Sequence, residues 1–242
     1  MPGLDWLTAR PIAHRGLHDA AAGVIENTPS AFAAAMSGNY GIECDLQLAA
    51  DGEAMVFHDH LLDRLTEASG PLRARTAPEL RDIGFKATTD RMQTLRELCE
   101  QVGGRVALVL ELKSRNDGDT RLAERVSAIL QDYAGPVAAM SFDPCLVQAL
   151  RVHAPGLPRG LVAERIPGDA LKGASRMAYA RAAIASRPHF LAWSVQDLPM
   201  AVPLGGRFLL GLPLLTWTVR TEAERKRARR YANQMIFEGF RP

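Results

Sequence analysis

Short apolar runs alternate with stretches of helical periodicity along most of this chain. Residues 11–16 form an apolar run that ends in His14, Arg15 and Gly16, the pattern of a first strand. Asn27 or Thr28 then caps a helix with Pro29 in its first turn, Phe32 and Met36 on its buried face and Gly38 as its stop. Residues 41–59 read as two strands joined at Asp51-Gly52, because Asp-Gly between apolar runs signals a hairpin. The pattern loosens over 61–90, which reads as a lid or packing segment with one short helical piece at 78–82.

Beyond that segment the alternation is regular. Thr94 opens a helix with Leu95, Leu98 and Val102 on one stripe, closed by Gly103-Gly104. Residues 105–113 are almost continuously apolar before Glu111 and Lys113, as in a parallel strand buried on both faces. Helices over 120–133, 143–153, 170–186 and 222–231 interleave with strands over 137–142, 159–163, 190–195, 214–219 and 234–238. The stretch 199–213 is broken by prolines and glycines, and its helix is the least determined. Eight main strands result, with the returning arm of the hairpin as an extra. The expected fold is an α/β closed (β/α)8 TIM barrel occupying residues 1–242 as one domain.

Composition narrows the partners. The chain has 242 residues, is 47% hydrophobic and 23% charged, and carries a net charge of +2, which gives no general attraction to nucleic acid or an anionic membrane. The basic run from Arg225 to Arg230 falls on a helix beginning at Glu222 and reads as a solvated outer face. Cys44, Cys99 and Cys145 are odd in number and lack paired spacing, which suits a reduced compartment. Neither a signal-like apolar region nor a run of about 20 apolar residues is present, so the expectation is a cytoplasmic protein without stable membrane association.

The chemistry collects at predicted strand ends: His14-Arg15, Glu43 with Asp45, and Glu111 with Lys113. Side chains two apart on a strand share a face, so Glu43 and Asp45 point the same way. If the hairpin reverses about Ala50 and Asp51, His58 comes opposite Glu43. Three carboxylates without cysteine select a hard cation, Mg2+ or Ca2+. Arg15 and Lys113 supply positive charge suited to a phosphate, with a structural ion pair as the other role open to Lys113. His14 and His58 remain as the proton-transfer pair. The chemistry implied is hydrolysis of a phosphate ester. His18, His60, His153 and His189 read as solvated or packing histidines, and Trp193 and Trp217 as core or pocket lining.

These residues, in this order, resemble the glycerophosphodiester phosphodiesterases. The likeness is carried by His14-Arg15-Gly16, Glu26-Asn27-Thr28, Phe32, Gly41-Ile42-Glu43-Cys44-Asp45, Asp51-Gly52, His58-Asp59, Leu62, Arg64, Thr66, Gly70 and Glu111-Leu112-Lys113. It continues through Ser141-Phe142 and Trp217-Thr218-Val219. The resemblance implies cleavage of a small-molecule glycerophosphodiester to sn-glycerol 3-phosphate and an alcohol. It further implies His14 and His58 as acid and base, Glu43, Asp45 and Glu111 as ligands of one divalent cation, and Arg15 and Lys113 at the phosphate. The chain departs from a Thr-Asp-x-Pro type ending: Phe237 stands for the threonine and Glu238 for the aspartate. A lysophospholipase D-type phosphodiesterase and a non-catalytic phosphodiester-binding barrel are the competing readings. The first would want an apolar anchor, and the second would have lost catalytic groups.

Overall fold

The structure is a computed structural model that describes residues 3–165 and 173–242. In chain order the elements are α1 (Asp5–Thr8), β1 (Ile12–Ala13), α2 (Pro29–Ser37), β2 (Gly41–Leu48), β3 (Ala54–Val56), α3 (Ala77–Asp82), α4 (Leu95–Val102), β4 (Leu108–Leu112) and α5 (Arg121–Leu130). They continue with β5 (Val137–Ser141), α6 (Pro144–His153), β6 (Arg159–Ala163), α7 (Gly173–Ser186), β7 (Phe190–Ser194), α8 (Ala201–Leu209), β8 (Leu214–Val219), α9 (Glu222–Tyr231) and β9 (Gln234–Phe237). Of the helix expected over 170–186, residues 170–172 lie outside the described residues. The broken stretch near Pro203 folds as α8.

Strand β1 pairs in parallel with both β2 and β9, so the ring of eight parallel strands closes. The arm β3 is the ninth strand, antiparallel to the far end of β2. Period-two alternation decides what each barrel strand shows to the inside. Ile12, Val109, Ala138, Met140, Val162, Phe190, Ala192, Leu215 and Ile236 fill the interior, with Leu7 of α1 in the same cluster. Their neighbours Ala13, Ile42, Cys44, Leu46, Leu108, Leu110, Leu112 and Phe237 pack against the surrounding helices.

The loop after the hairpin is a packing segment. Leu62, Leu72, Leu80, Phe85 and Met92 form a cluster with Met55 and Phe57, fixing the arm against the barrel. Thr94 caps α4 with a reciprocal Thr94–Glu97 box, and Gly103 ends it at φ 54°, as the capping residues predict. Ala228 is the buried residue of α9, so its basic run is the solvated face expected.

The hairpin loop is one residue longer than expected. Leu46 pairs with Val56 and Leu48 with Ala54, and Ala49 N–H donates to Glu53 O at 2.9 Å. Ala50, Asp51 and Gly52 therefore form a three-residue loop, with Gly52 at φ 83°. Such loops place an αL residue last, which glycine adopts without a Cβ penalty. Phe57 N–H donates to Asp45 O at 3.0 Å, which puts Phe57, where the expected register would have Val56, across from Asp45. Strand β3 ends at Val56, so His58 lies beyond the paired residues and the expected pairing of His58 with Glu43 is not formed.

Candidate active site

The acidic residues are brought together by strand register. Asp45 is the Cα partner of Glu111 across β2 and β4, and Glu43 precedes Asp45 on the same inward face. One carboxylate oxygen from each of Glu43, Asp45 and Glu111 lies within 4.8 Å of the others. All three residues are buried, Glu43 and Asp45 to 1% exposure. Burial, with Asp45 and Glu111 beside it, pushes Glu43 well above the usual carboxylate range. Burial raises Glu111 as well. Asp45 goes the other way: burial opposes its charge, but Lys113 and Arg15 hold it below its ordinary value.

Neighbouring groups orient these carboxylates. Arg15 N–H donates to Glu43 Oε2 at 3.0 Å. Asn27 Nδ2 donates to Asp45 Oδ2 at 2.8 Å, while Asn27 Oδ1 accepts from Asp45 N–H at 3.2 Å. Asn27 therefore serves the site, and Thr28 takes the N-cap position of α2. Glu43 Oε1 is buried with no hydrogen-bond partner among the described residues. A buried carboxylate oxygen left unpaired inside a cluster of like charge is stabilised by a cation, and an all-oxygen donor set fits a hard divalent ion.

The expected phosphate-binding cations stand at the rim. Lys113 Nζ lies 2.8 Å from Asp45 Oδ1 and also donates to Glu111. Arg15 Nε lies 3.2 Å from Asp45 Oδ2, and its Nη1 donates to Glu26 at 2.7 Å. Both cations thus face the acidic cluster. Arg15 sits at φ 55° and Gly16 at φ 79°, so the chain folds back sharply after β1. Gly16 N–H donates to Glu43 O at 3.2 Å, which ties that turn to β2.

Each expected proton-transfer histidine is held through Nδ1 by a carboxylate. His58 Nδ1 pairs with Asp59 Oδ1 at 2.7 Å, and Arg64 Nε holds Asp59 at 2.5 Å. His14 Nδ1 pairs with Glu238 Oε2 at 2.7 Å, and Arg220 Nη2 holds that oxygen at 3.0 Å. His14 Nε2 lies 4.0 Å from Glu43 Oε2, toward the acidic cluster. Burial lowers the pKa of both histidines, against the opposing pull of the neighbouring carboxylates.

Glu238, Asp59, Asn27, Glu26 and Arg64 are the supporting residues. All of them lie in or beside the motifs, but their bonds follow from tertiary register. The C-terminal departure also resolves. Phe237 points outward onto Tyr40, ring centroids 5.0 Å apart, whereas Glu238 points inward. The threonine-to-phenylalanine change therefore sits in the helix layer, away from the site. Trp193 packs outside the barrel with Leu161 and Leu191, and Trp217 meets Phe142 edge-on at 5.4 Å. His60 is an exposed loop histidine, as expected, and its Nδ1 lies 3.0 Å from Gln47 Oε1.

The residues joined across the barrel seam also bound a family profile: that of the glycerophosphoryl diester phosphodiesterase family matches residues 14–238. The chain belongs to this family. It is 34% identical over 161 residues to the glycerophosphodiester phosphodiesterase of Caldanaerobacter subterraneus subsp. tengcongensis, covering 62% of this chain and 65% of that protein. A putative glycerophosphodiester phosphodiesterase of Bacillus subtilis is 30% identical over 160 residues, covering 62% and 64%. The match thus spans about two thirds of the length of these relatives. Among solved structures, an Oleispira antarctica phosphodiesterase in complex with the product sn-glycerol-3-phosphate superposes with a TM-score of 0.80 at 20% identity, covering 97% of this chain and 95% of that one. The glycerophosphodiester phosphodiesterase of Thermotoga maritima gives 0.71 at 24% identity, covering 93% and 92%. At these identities the likeness establishes the fold, an eight-stranded parallel barrel with alternating helices. Among the described residues, no helix is long and apolar enough to cross a membrane.

Proposed function

We propose that this family member hydrolyses glycerophosphodiesters to sn-glycerol 3-phosphate and an alcohol. The observation that carries the reading is the acidic cluster of Glu43, Asp45 and Glu111, flanked by His14 and His58 with their Nδ1 atoms held by carboxylates. Membership in the family and the product bound by the Oleispira antarctica protein support the substrate class. A non-catalytic barrel has no use for two partly exposed histidines braced in this way.

Glu43, Asp45 and Glu111 would hold one Mg2+ or Ca2+. When bound, such an ion supplies charge neutralisation at a phosphate. Arg15 and Lys113 place two further positive charges at the same rim, where they bind and orient the phosphoryl oxygens. Asp59 and Glu238 occupy the Nδ1 positions, which leaves Nε2 of each imidazole for the reacting groups. One histidine takes the proton of the nucleophile, and the other gives a proton to the departing alkoxide. The Glu–Asp–Glu cluster fixes where the phosphate sits between them.

The reading is tested by incubating the protein with glycerophosphocholine in Mg2+ or Ca2+, with and without chelator. Glycerol phosphate forms only with the ion present, and restoring the ion restores turnover. Absence of product in every metal overturns the reading for this substrate. Activity indifferent to chelation overturns the metal's part in it.

A further inference from the structure

The His14–Glu238 pair has a third neighbour. His18 lies four residues beyond His14 in the loop that leads to α2, and His14, His18 and Glu238 each offer a donor atom within 4.8 Å of the other two. His18 Nε2 is buried and has no hydrogen-bond partner among the described residues. His18 thus brings one ring nitrogen to a carboxylate and a second imidazole and keeps a buried nitrogen without a partner, a polar atom that calls for a ligand.

The backbone holds all three in place. His14 N–H donates to Phe237 O at 2.9 Å, and Glu238 N–H donates to Val219 O at 3.0 Å. Leu17 N–H donates to Ala31 O at 3.0 Å and Asp19 N–H to Val24 O at 2.9 Å, which anchors the chain on both sides of His18. A cleft of about 500 Å³ lined by Leu17, His18, Glu238, Gly239 and Phe240 opens onto the group and gives an ion access.

The donor chemistry differs from that of the acidic cluster. Two imidazoles and a carboxylate suit zinc and its neighbours in the transition series, whereas three carboxylates suit Mg2+ or Ca2+. A tetrahedral zinc with bonds of about 2.1 Å keeps its ligands about 3.4 Å apart, so modest side-chain rotation closes the group around it. Arg220 is the cation that opposes this, at 3.0 Å from Glu238 Oε2. Both bonds to Glu238 use Oε2, so Oε1 can turn to a metal without breaking the Arg220 contact.

We propose that His14, His18 and Glu238 form a second cation site, selective for zinc-class ions, whose occupancy inhibits the enzyme. The metal takes Nδ1 of His14 in place of the hydrogen bond to Glu238. The ring then carries its proton on Nε2 and can no longer accept one there. Hard cations would thus activate through the acidic cluster while borderline cations inhibit through the neighbouring one. The inhibitory consequence rests on the phosphodiesterase reading, but the binding does not.

The test is titration of Co2+ into Mg2+-saturated protein, followed by calorimetry and by the visible absorption of the bound ion, for wild type, His18→Gln and Glu43→Gln. Wild type and Glu43→Gln bind Co2+ with imidazole ligation, and His18→Gln weakens that binding at least tenfold. In parallel, Zn2+ inhibits wild-type turnover, and the inhibitory concentration rises at least tenfold in His18→Gln with basal turnover unchanged. Nitrogen-15 spectra of the wild-type histidine rings give a readout independent of any variant: Zn2+ shifts two rings, His14 and His18, and leaves His58 in place. Equal Co2+ binding by wild type and His18→Gln, or a Zn2+ shift confined to His58, overturns the second site. Co2+ binding that survives in a protein inactive on every glycerophosphodiester upholds the site and refutes only the activity.

Discussion

His14 and Glu238, 224 residues apart in sequence, meet at 2.7 Å where the first and last barrel strands close the ring. Ile12 pairs with Ile236 and Ala13 with Phe237, so both side chains turn inward at the next position. The bond fixes which ring nitrogen faces the acidic cluster, Nε2, 4.0 Å from Glu43 Oε2. Replacing the carboxylate by an amide keeps the shape but removes the charge that favours Nδ1–H. A positioned acid or base contributes about 10²–10⁴-fold, and losing its orientation rather than the group itself costs about 10- to 100-fold. Glu238→Gln is expected to lose that factor in kcat with KM nearly unchanged, measured by steady-state kinetics, while His14→Ala loses the full factor.

The same pair sets an acid limb of stability. The bond from His14 holds the Glu238 carboxyl down to about 2. A group whose folded pKa is depressed stabilises the native state above its unfolded value, and that contribution fades as pH falls through the folded value. From the ordinary 4.5 toward about 2 the wild type should therefore lose stability that Glu238→Gln never had. Urea midpoints of the two proteins should converge across that window, and parallel midpoints would deny the coupling.

Asn27 should matter to the cation more than to the fold. Its amide makes both a donor and an acceptor bond to Asp45 in a site only 1% exposed. Removing a group that orients a metal ligand lowers affinity by about 10- to 100-fold. Calorimetric titration of Ca2+ into Asn27→Ala is expected to show that loss, with the circular dichroism of the protein unchanged.

Gly16 links backbone geometry to the site. A Cβ there would lie 2.9 Å from the backbone of Ala31, at φ 79° where side chains are strained. Gly16→Ala should cost about 2–3 kcal/mol, a fall of about 5–10 °C in Tm for a chain of this size. Because Gly16 N–H also holds Glu43 O, metal affinity should fall with it.

Much of this was legible in the sequence because it is periodic or local. The strand at Leu214–Val219 and the helix at Glu222–Tyr231 have the bounds that the apolar pattern and caps predict. Glu43, Asp45 and Glu111 converge because alternation on β2 and β4 is a rule of the strand itself. The placement of His58 was not legible, since a three-residue turn and a two-residue turn share the Asp-Gly signal but differ by one in register. Nor was the partnership of Glu238 with His14, which depends on how a barrel closes on itself. Phe237 shows the same limit: it stands where the resemblance has a threonine, and only the register of β9 shows that it turns outward onto Tyr40.

The central claim is that Glu43, Asp45, Glu111, His14 and His58 together cleave a glycerophosphodiester. Phosphorus-31 NMR of glycerophosphocholine incubated with the metal-loaded protein tests it most directly. The account expects the diester signal to give way to that of sn-glycerol 3-phosphate with wild type and to persist with Asp45→Asn. A folded, metal-loaded wild type that leaves the diester intact, or an Asp45→Asn variant that consumes it at the wild-type rate, would contradict it.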